Sequence, residues 1–102
     1  MLQEMIRKMK IKIKFFARFT EIFGKEAIFE YEAGETNSLK DAVGAFCRRY
    51  PDKYGEVFTK DGEFQDYVLI MHNLERIDRD DAGAVKLADG DEIAIYPPVA
   101  GG

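Results

Sequence analysis

The stretch LADGDEIAIYPPVAGG, residues 87–102, decides how the rest of the chain is read. Asp89-Gly90 is turn chemistry, because glycine accepts the backbone angles that a tight reversal demands. A strand pattern follows, with Ile93 and Ile95 on one face. Pro97 and Pro98 then fix φ and block helix formation, so the chain is expected to leave the strand extended. Gly101 and Gly102 carry no side chains and tolerate any backbone angle. A partner's groove could close around them where even a methyl group would collide. The pattern describes a thin, semi-rigid finger on a rigid body, tipped by a carboxylate.

Working back from that ending, YVLIMHN at 67–73 reads as a largely buried strand, and RDDAG at 79–83 as loop. A short apolar piece stands at 85–87, before the Asp-Gly turn. The segment 52–67 has no clear period, with a turn marked at Asp61-Gly62. NSLKDAVGAFCRRYP at 37–51 predicts a helix over 38–50. Ser38 is a natural N-cap, with Asp41 three residues on in the place of a capping-box acid. Leu39, Ala42, Val43, Phe46, Cys47 and Tyr50 recur at helical spacing and give one apolar face. Arg48 and Arg49 fall in the last turn, where cations suit the helix dipole, and Pro51 stops the helix.

The front of the chain alternates. In KIKIKFFARF, residues 10–19, Ile11, Ile13 and Phe15 point one way and Lys10, Lys12 and Lys14 the other. The lysines read as a solvated strand face. GKEAIFEYEAGE at 24–35 alternates too, with Ile28 and Glu30 on one face and Phe29 and Tyr31 on the other. Short polar connections predict a hairpin between the two runs. The order is strand, strand, helix, strand, short strand, strand, which implies an α+β roll with one helix across a mixed sheet. Residues 1–8 read as an N-terminal extension, 9–98 as the domain and 99–102 as a flexible tail.

Composition bounds the function. The chain has 102 residues, 46% of them hydrophobic, enough for one core and one domain. No apolar run approaches the length of a membrane span, and MLQEMIRKMK lacks the apolar centre of a signal peptide. A net charge of -4 argues against general nucleic-acid binding and is compatible with a basic protein partner. A single cysteine, Cys47, forbids an intrachain disulfide, and cytoplasm is the simplest location.

The usual catalytic parts do not assemble. His72 is the only histidine, so a histidine metal cluster cannot form. Cys47 lies on the apolar helix face and reads as a packed thiol. His72, near a strand end, reads as a surface or turn residue, and Asp89-Gly90-Asp91 as a turn without the rest of a calcium loop. What remains is the terminal carboxylate. A carboxylate is a poor electrophile until one oxygen becomes a leaving group. Reaction with ATP does this, giving an acyl-adenylate open to sulfur or nitrogen. The protein would then be a carrier, with no need of a catalytic set of its own.

These residues reach a family. LADGDEIAIYPPVAGG closely resembles the ending of MoaD, the small subunit of molybdopterin synthase, in the MoaD/ThiS superfamily of ubiquitin-like sulfur carriers. KIKFFARFTEIFG at 12–24 is similar to that family's first strand and following loop, and the helix falls where the family has its own. The resemblance covers roughly residues 9–102. It implies a β-grasp (ubiquitin-like) fold without a bound cofactor or metal. A MoeB-like adenylyltransferase would use ATP and magnesium to activate Gly102, and a sulfur donor would convert it to a thiocarboxylate. The tail would then enter a MoaE-like large synthase subunit, where the active site would lie. Sulfur would pass to the pyranopterin precursor and form the dithiolene. Carried over by position, Gly102 bears the sulfur, Gly101 allows the approach, and Pro97, Pro98, Val99 and Ala100 line the tail's groove. An apolar sheet patch with Phe16 and Ile95 would dock the partners. Ala100 stands where the family often has serine, and 52–67 is longer and more charged than in a minimal member. Archaeal ubiquitin-like modifiers share the ending, so conjugation through Gly102 is the alternative, as is sulfur carriage for thiamine or cysteine synthesis.

Overall fold

The computed structural model describes residues 7–33 and 37–97. Five strands form one mixed sheet: β1 (Arg7–Phe15), β2 (Glu26–Ala33), β3 (Leu69–His72), β4 (Glu75–Ile77) and β5 (Glu92–Tyr96), in the spatial order β2-β1-β5-β3-β4. β1 runs antiparallel to β2 and parallel to β5, and β3 is antiparallel to both its neighbours. The main helix, α2 (Leu39–Cys47), packs across one face, and a short helix, α1 (Arg18–Phe23), joins β1 to β2. This is the β-grasp roll that the resemblance implies. β1 begins at Arg7, two residues inside the segment read as an extension.

The alternation along β1 and β2 sorts the sheet into two faces. Met9, Ile11, Ile13 and Phe15 are buried, and Phe29 joins them opposite Ile11. From α2 they meet Leu39, Ala42, Val43, Phe46 and Cys47, so the helical and two-residue periods converge on one core. Phe46 lies at its centre, with ring contacts to Phe15, Phe23 and Phe29. The other face carries Lys10, Lys12 and Lys14 with Glu26, Ile28, Glu30 and Glu32 in cross-strand register.

Several elements differ from the sequence reading. The strand over 10–19 ends at Phe15, because Ala17 takes a left-handed φ of 52° and Phe19 N–H closes a turn onto Phe16 O at 3.1 Å. Phe19 then belongs to α1, which drops it and Phe23 into the core, so the connection is a short helix rather than a simple polar link. Helix α2 stops at Cys47, three residues early. Arg49 and Tyr50 N–H bond to Phe46 and Cys47 O, the tightened pattern of a helix end, before Pro51 is reached. Arg48 and Arg49 therefore lie past the last turn and spread over the rings of Tyr54 and Phe29. At its start Ser38 Oγ accepts Asp41 N–H at 3.1 Å, as the cap pattern predicts.

The run 67–73 narrows to β3, where only Ile70 faces the core while Leu69 and Met71 are half-buried on the outer face. The short strand is Glu75–Ile77, turned back on β3 through Asn73 and Leu74, both at positive φ. The piece at 85–87 contributes an isolated bridge, Lys86 to Ser38, and RDDAG contains a 3-10 turn at Arg79–Asp81. Phe58 and Phe64, stacked at 4.6 Å, pin the aperiodic 52–67 segment to the core.

Candidate functional site: the root of the C-terminal tail

Strand β5 lies between β1 and β3, the middle of the sheet, and ends at Tyr96, from which the tail departs. Pro97, the last described residue, is buried, so the tail's root is fixed to the body. Pro98, Val99, Ala100, Gly101 and Gly102 lie outside the described residues.

Around that root the outer face is apolar. Tyr96 stacks face to face on Phe16, with ring centroids 4.3 Å apart and planes within 4°. Phe16 is held in place by its own N–H, which donates to Ile95 O at 3.3 Å. Register places Leu69 beside Tyr96, and Met71 and Lys14 beside Ala94, all on the same face. The Lys14–Glu92 ion pair at 3.7 Å borders the patch on one side, and Arg76, opposite Met71, on the other. An apolar centre inside a charged rim is the anatomy of a protein-docking surface.

Ile95 is not part of it. Its side chain is 0% exposed and points to α2, because period-two alternation sends Ile93 and Ile95 inward when Glu92, Ala94 and Tyr96 face out. The residues that sequence reasoning missed are Tyr96, Leu69 and Met71. The same alternation, followed one residue further, signals Tyr96. Leu69 and Met71 carry no such signal, since an unbroken apolar run hides which face is covered.

The remaining candidates have structural roles. Burial pushes the Cys47 thiol up to about 12, out of reach of thiolate chemistry near neutrality. His72 is more enclosed than a surface residue. Its Nε2–H donates to Asp91 Oδ2 at 2.8 Å, with both side chains largely covered. Asp91 also accepts from Ala88 N–H and from Asn73 Nδ2, while Asn73 Oδ1 accepts Glu92 N–H. Burial alone would raise Asp91, but the hydrogen bonds from His72, Ala88 and Asn73 outweigh it and hold the carboxyl below its ordinary value. The network ties the β3–β4 turn to the start of β5. Among the described residues no three histidine, cysteine or acidic side chains stand close enough to hold a metal, and no helix is long and apolar enough to cross a membrane.

Comparison with known proteins places this geometry. A sequence model described as the ThiS family matches residues 13–102. Small archaeal modifier protein 3 of Haloferax volcanii is 30% identical over 94 residues, covering 92% of this chain and 100% of that protein. The molybdopterin synthase sulfur carrier subunit of Aedes aegypti is 32% identical over 96 residues, covering 91% and 89%. The crystal structure of SAMP1 from Haloferax volcanii superposes with a TM-score of 0.73 at 30% identity, over 91% of this chain and 99% of that one.

Proposed function

Because the chain belongs to the ThiS family of ubiquitin-like sulfur carriers, we propose that it is the sulfur carrier subunit of a molybdopterin synthase. The carboxylate of Gly102 attacks the α-phosphate of ATP on a MoeB-like adenylyltransferase with magnesium, and pyrophosphate leaves. A sulfur donor displaces AMP, leaving a thiocarboxylate. Within a MoaE-like large subunit that sulfur passes to the pyranopterin precursor, and two such deliveries build the dithiolene. The chain supplies no catalytic group beyond its terminus, and works in the cytoplasm.

The observation that carries this reading is the span of the family match, which runs through the proline pair to Gly102 itself. The fold supports it physically. A buried Pro97 directly after the central strand fixes the origin of the tail, while Phe16, Tyr96, Leu69 and Met71 offer the adjoining surface to the adenylating and acceptor proteins. A rigid origin lowers the ordering cost of threading a short tail into a partner's active site.

A second reading is favoured by the full-length likeness to a small archaeal modifier protein. In it the same adenylate is attacked by a lysine amine, forming an isopeptide bond through Gly102. Intact-mass measurement separates the two. With ATP, magnesium, the adenylating partner and a sulfide donor, the carrier gains the mass difference of sulfur over oxygen, and the Gly102-deleted chain does not. Adding a large synthase subunit and precursor then returns the carrier to its starting mass. Absence of the sulfur gain with a partner proven active on another carrier overturns the carrier reading. A ladder of lysine conjugates in cell extract supports the modifier.

A further inference from the structure

Among the described residues the sheet has two unpaired edges, and they differ. β4 offers three residues, while β2 offers eight, Glu26 to Ala33, without proline or bulge. The hydrogen-bond phase of β2 follows from its neighbour. Phe15 N–H donates to Lys25 O at 3.0 Å, whereas Lys12 N–H donates to Asp91 O on the other side. By alternation Ala27, Phe29 and Tyr31 bond to β1, and Glu26, Ile28, Glu30 and Glu32 aim their N–H and C=O groups away from the sheet. No other element of the described chain bonds to those outward groups. Below the edge, a groove of about 400 Å³ is lined by Phe29, Tyr31 and Ala45, with Lys8, Arg49, Glu30 and Glu32 around them.

We infer that the β2 edge accepts an added strand from a protein partner whose residues alternate basic and apolar. Charge selects this occupant. The outward residues of β2 place three carboxylates on the solvent face beside Ile28, which is 60% exposed. Among the described residues no ion pair engages Glu26, Glu30 or Glu32. A second copy of β2 is disfavoured, since antiparallel self-pairing with substantial overlap sets glutamate against glutamate. Lysine or arginine opposite these positions would repeat the cross-strand register of Lys8, Lys10 and Lys14 on β1, none of which, among the described residues, forms an ion pair with these glutamates. The intervening side chains of the added strand would enter the groove. There Arg49, whose guanidinium lies 4.7 Å from the centre of the Phe29 ring, rejects cations and leaves room for apolar groups. The two cations of the groove, Lys8 and Arg49, and its apolar residues favour one face of the peptide. This edge is remote in the sheet from the β5–β3 face of the tail root, so the inference stands apart from the sulfur-carrier reading.

The test uses the full-length chain at low salt, with a capped heptapeptide alternating lysine and valine and a counterpart alternating glutamate and valine. Amide exchange by NMR is the readout. The lysine peptide slows exchange at Ile28, Glu30 and Glu32, and the glutamate peptide does not. The double variant Glu30→Lys/Glu32→Lys weakens the lysine peptide by about tenfold or more and gains the glutamate peptide. Glu30→Pro removes an edge N–H that β1 does not use, and abolishes protection while the thermal transition persists. The inference is overturned by equal binding of both peptides, by no protection along β2, by protection only at β4, or by charge reversal that leaves the preference unchanged. A β2-dependent homodimer in solution overturns it too.

Discussion

Two residues hold backbone conformations that their side chains oppose. Ala17 sits at φ 52°, ψ -132°, and Leu74 at φ 74° while 80% exposed. Both angles suit glycine, and both side chains are exposed, so truncation removes little packing. Ala17→Gly and Leu74→Gly should each raise the unfolding free energy by about 1 kcal/mol, strain relief outweighing the added freedom of the unfolded chain. Chemical denaturation of each variant checks this. The Asp91 network makes a prediction in pH. Its folded carboxyl titrates below the ordinary 3.8, so its contribution is whole above that value and is lost as pH falls through the lower folded value. Acid titration of stability in Asp91→Asn should be flatter than wild type below about pH 4 and show a loss at neutral pH. The Asp-Gly turn was legible from residues 89 and 90 alone. The His72–Asp91 link was not, because it joins two strand ends through a pairing that local pattern does not encode.

At the scale of elements, what could be read was what had a period. α2 announced itself by a cap and a repeating apolar face, and β1 by its lysine alternation. α1 did not, because Phe19 keeps the two-residue rhythm of the strand before it and a helix of six residues shows too few turns for its own period to emerge. The end of α2 misled for a related reason: Tyr50 continues the helical spacing, yet its ring packs on Phe46 and Phe23 from a turn. The placement of α2 has a direct energetic consequence. Phe46 is 3% exposed at the meeting of sheet and helix, and Phe46→Ala should cost about 3–5 kcal/mol. Ser38→Ala, which leaves Asp41 N–H without its cap, should cost about 1 kcal/mol. Thermal or denaturant unfolding that shows Phe46→Ala within error of wild type would contradict the packing described for α2.

Across the whole molecule, β5 separates the core from the proposed docking face by one residue. Ile95 and Tyr96 are neighbours in sequence, but the pleat sends the first into the core and the second to the face around the tail root. The fold and the tail motif were legible from the strand order and the Pro-Pro-Val-Ala-Gly-Gly ending. The proposed docking patch was only half legible, since choosing between Phe16, Ile95 and Tyr96 requires knowing which side α2 covers. That division predicts opposite phenotypes. Ile95→Ala should lose about 2–5 kcal/mol of stability through a core cavity. Phe16→Ala and Tyr96→Ala break a half-buried stack and should cost only about 1 kcal/mol of stability. If this face seats the adenylating partner, both should raise the KM for the carrier by about tenfold or more while leaving kcat near wild type, because the tail that reacts is unchanged. Steady-state adenylation with each variant, beside its unfolding curve, reads both quantities. A fall in kcat at unchanged KM would instead assign the Phe16–Tyr96 stack to orienting the tail, and the partner's footprint would lie elsewhere on the sheet.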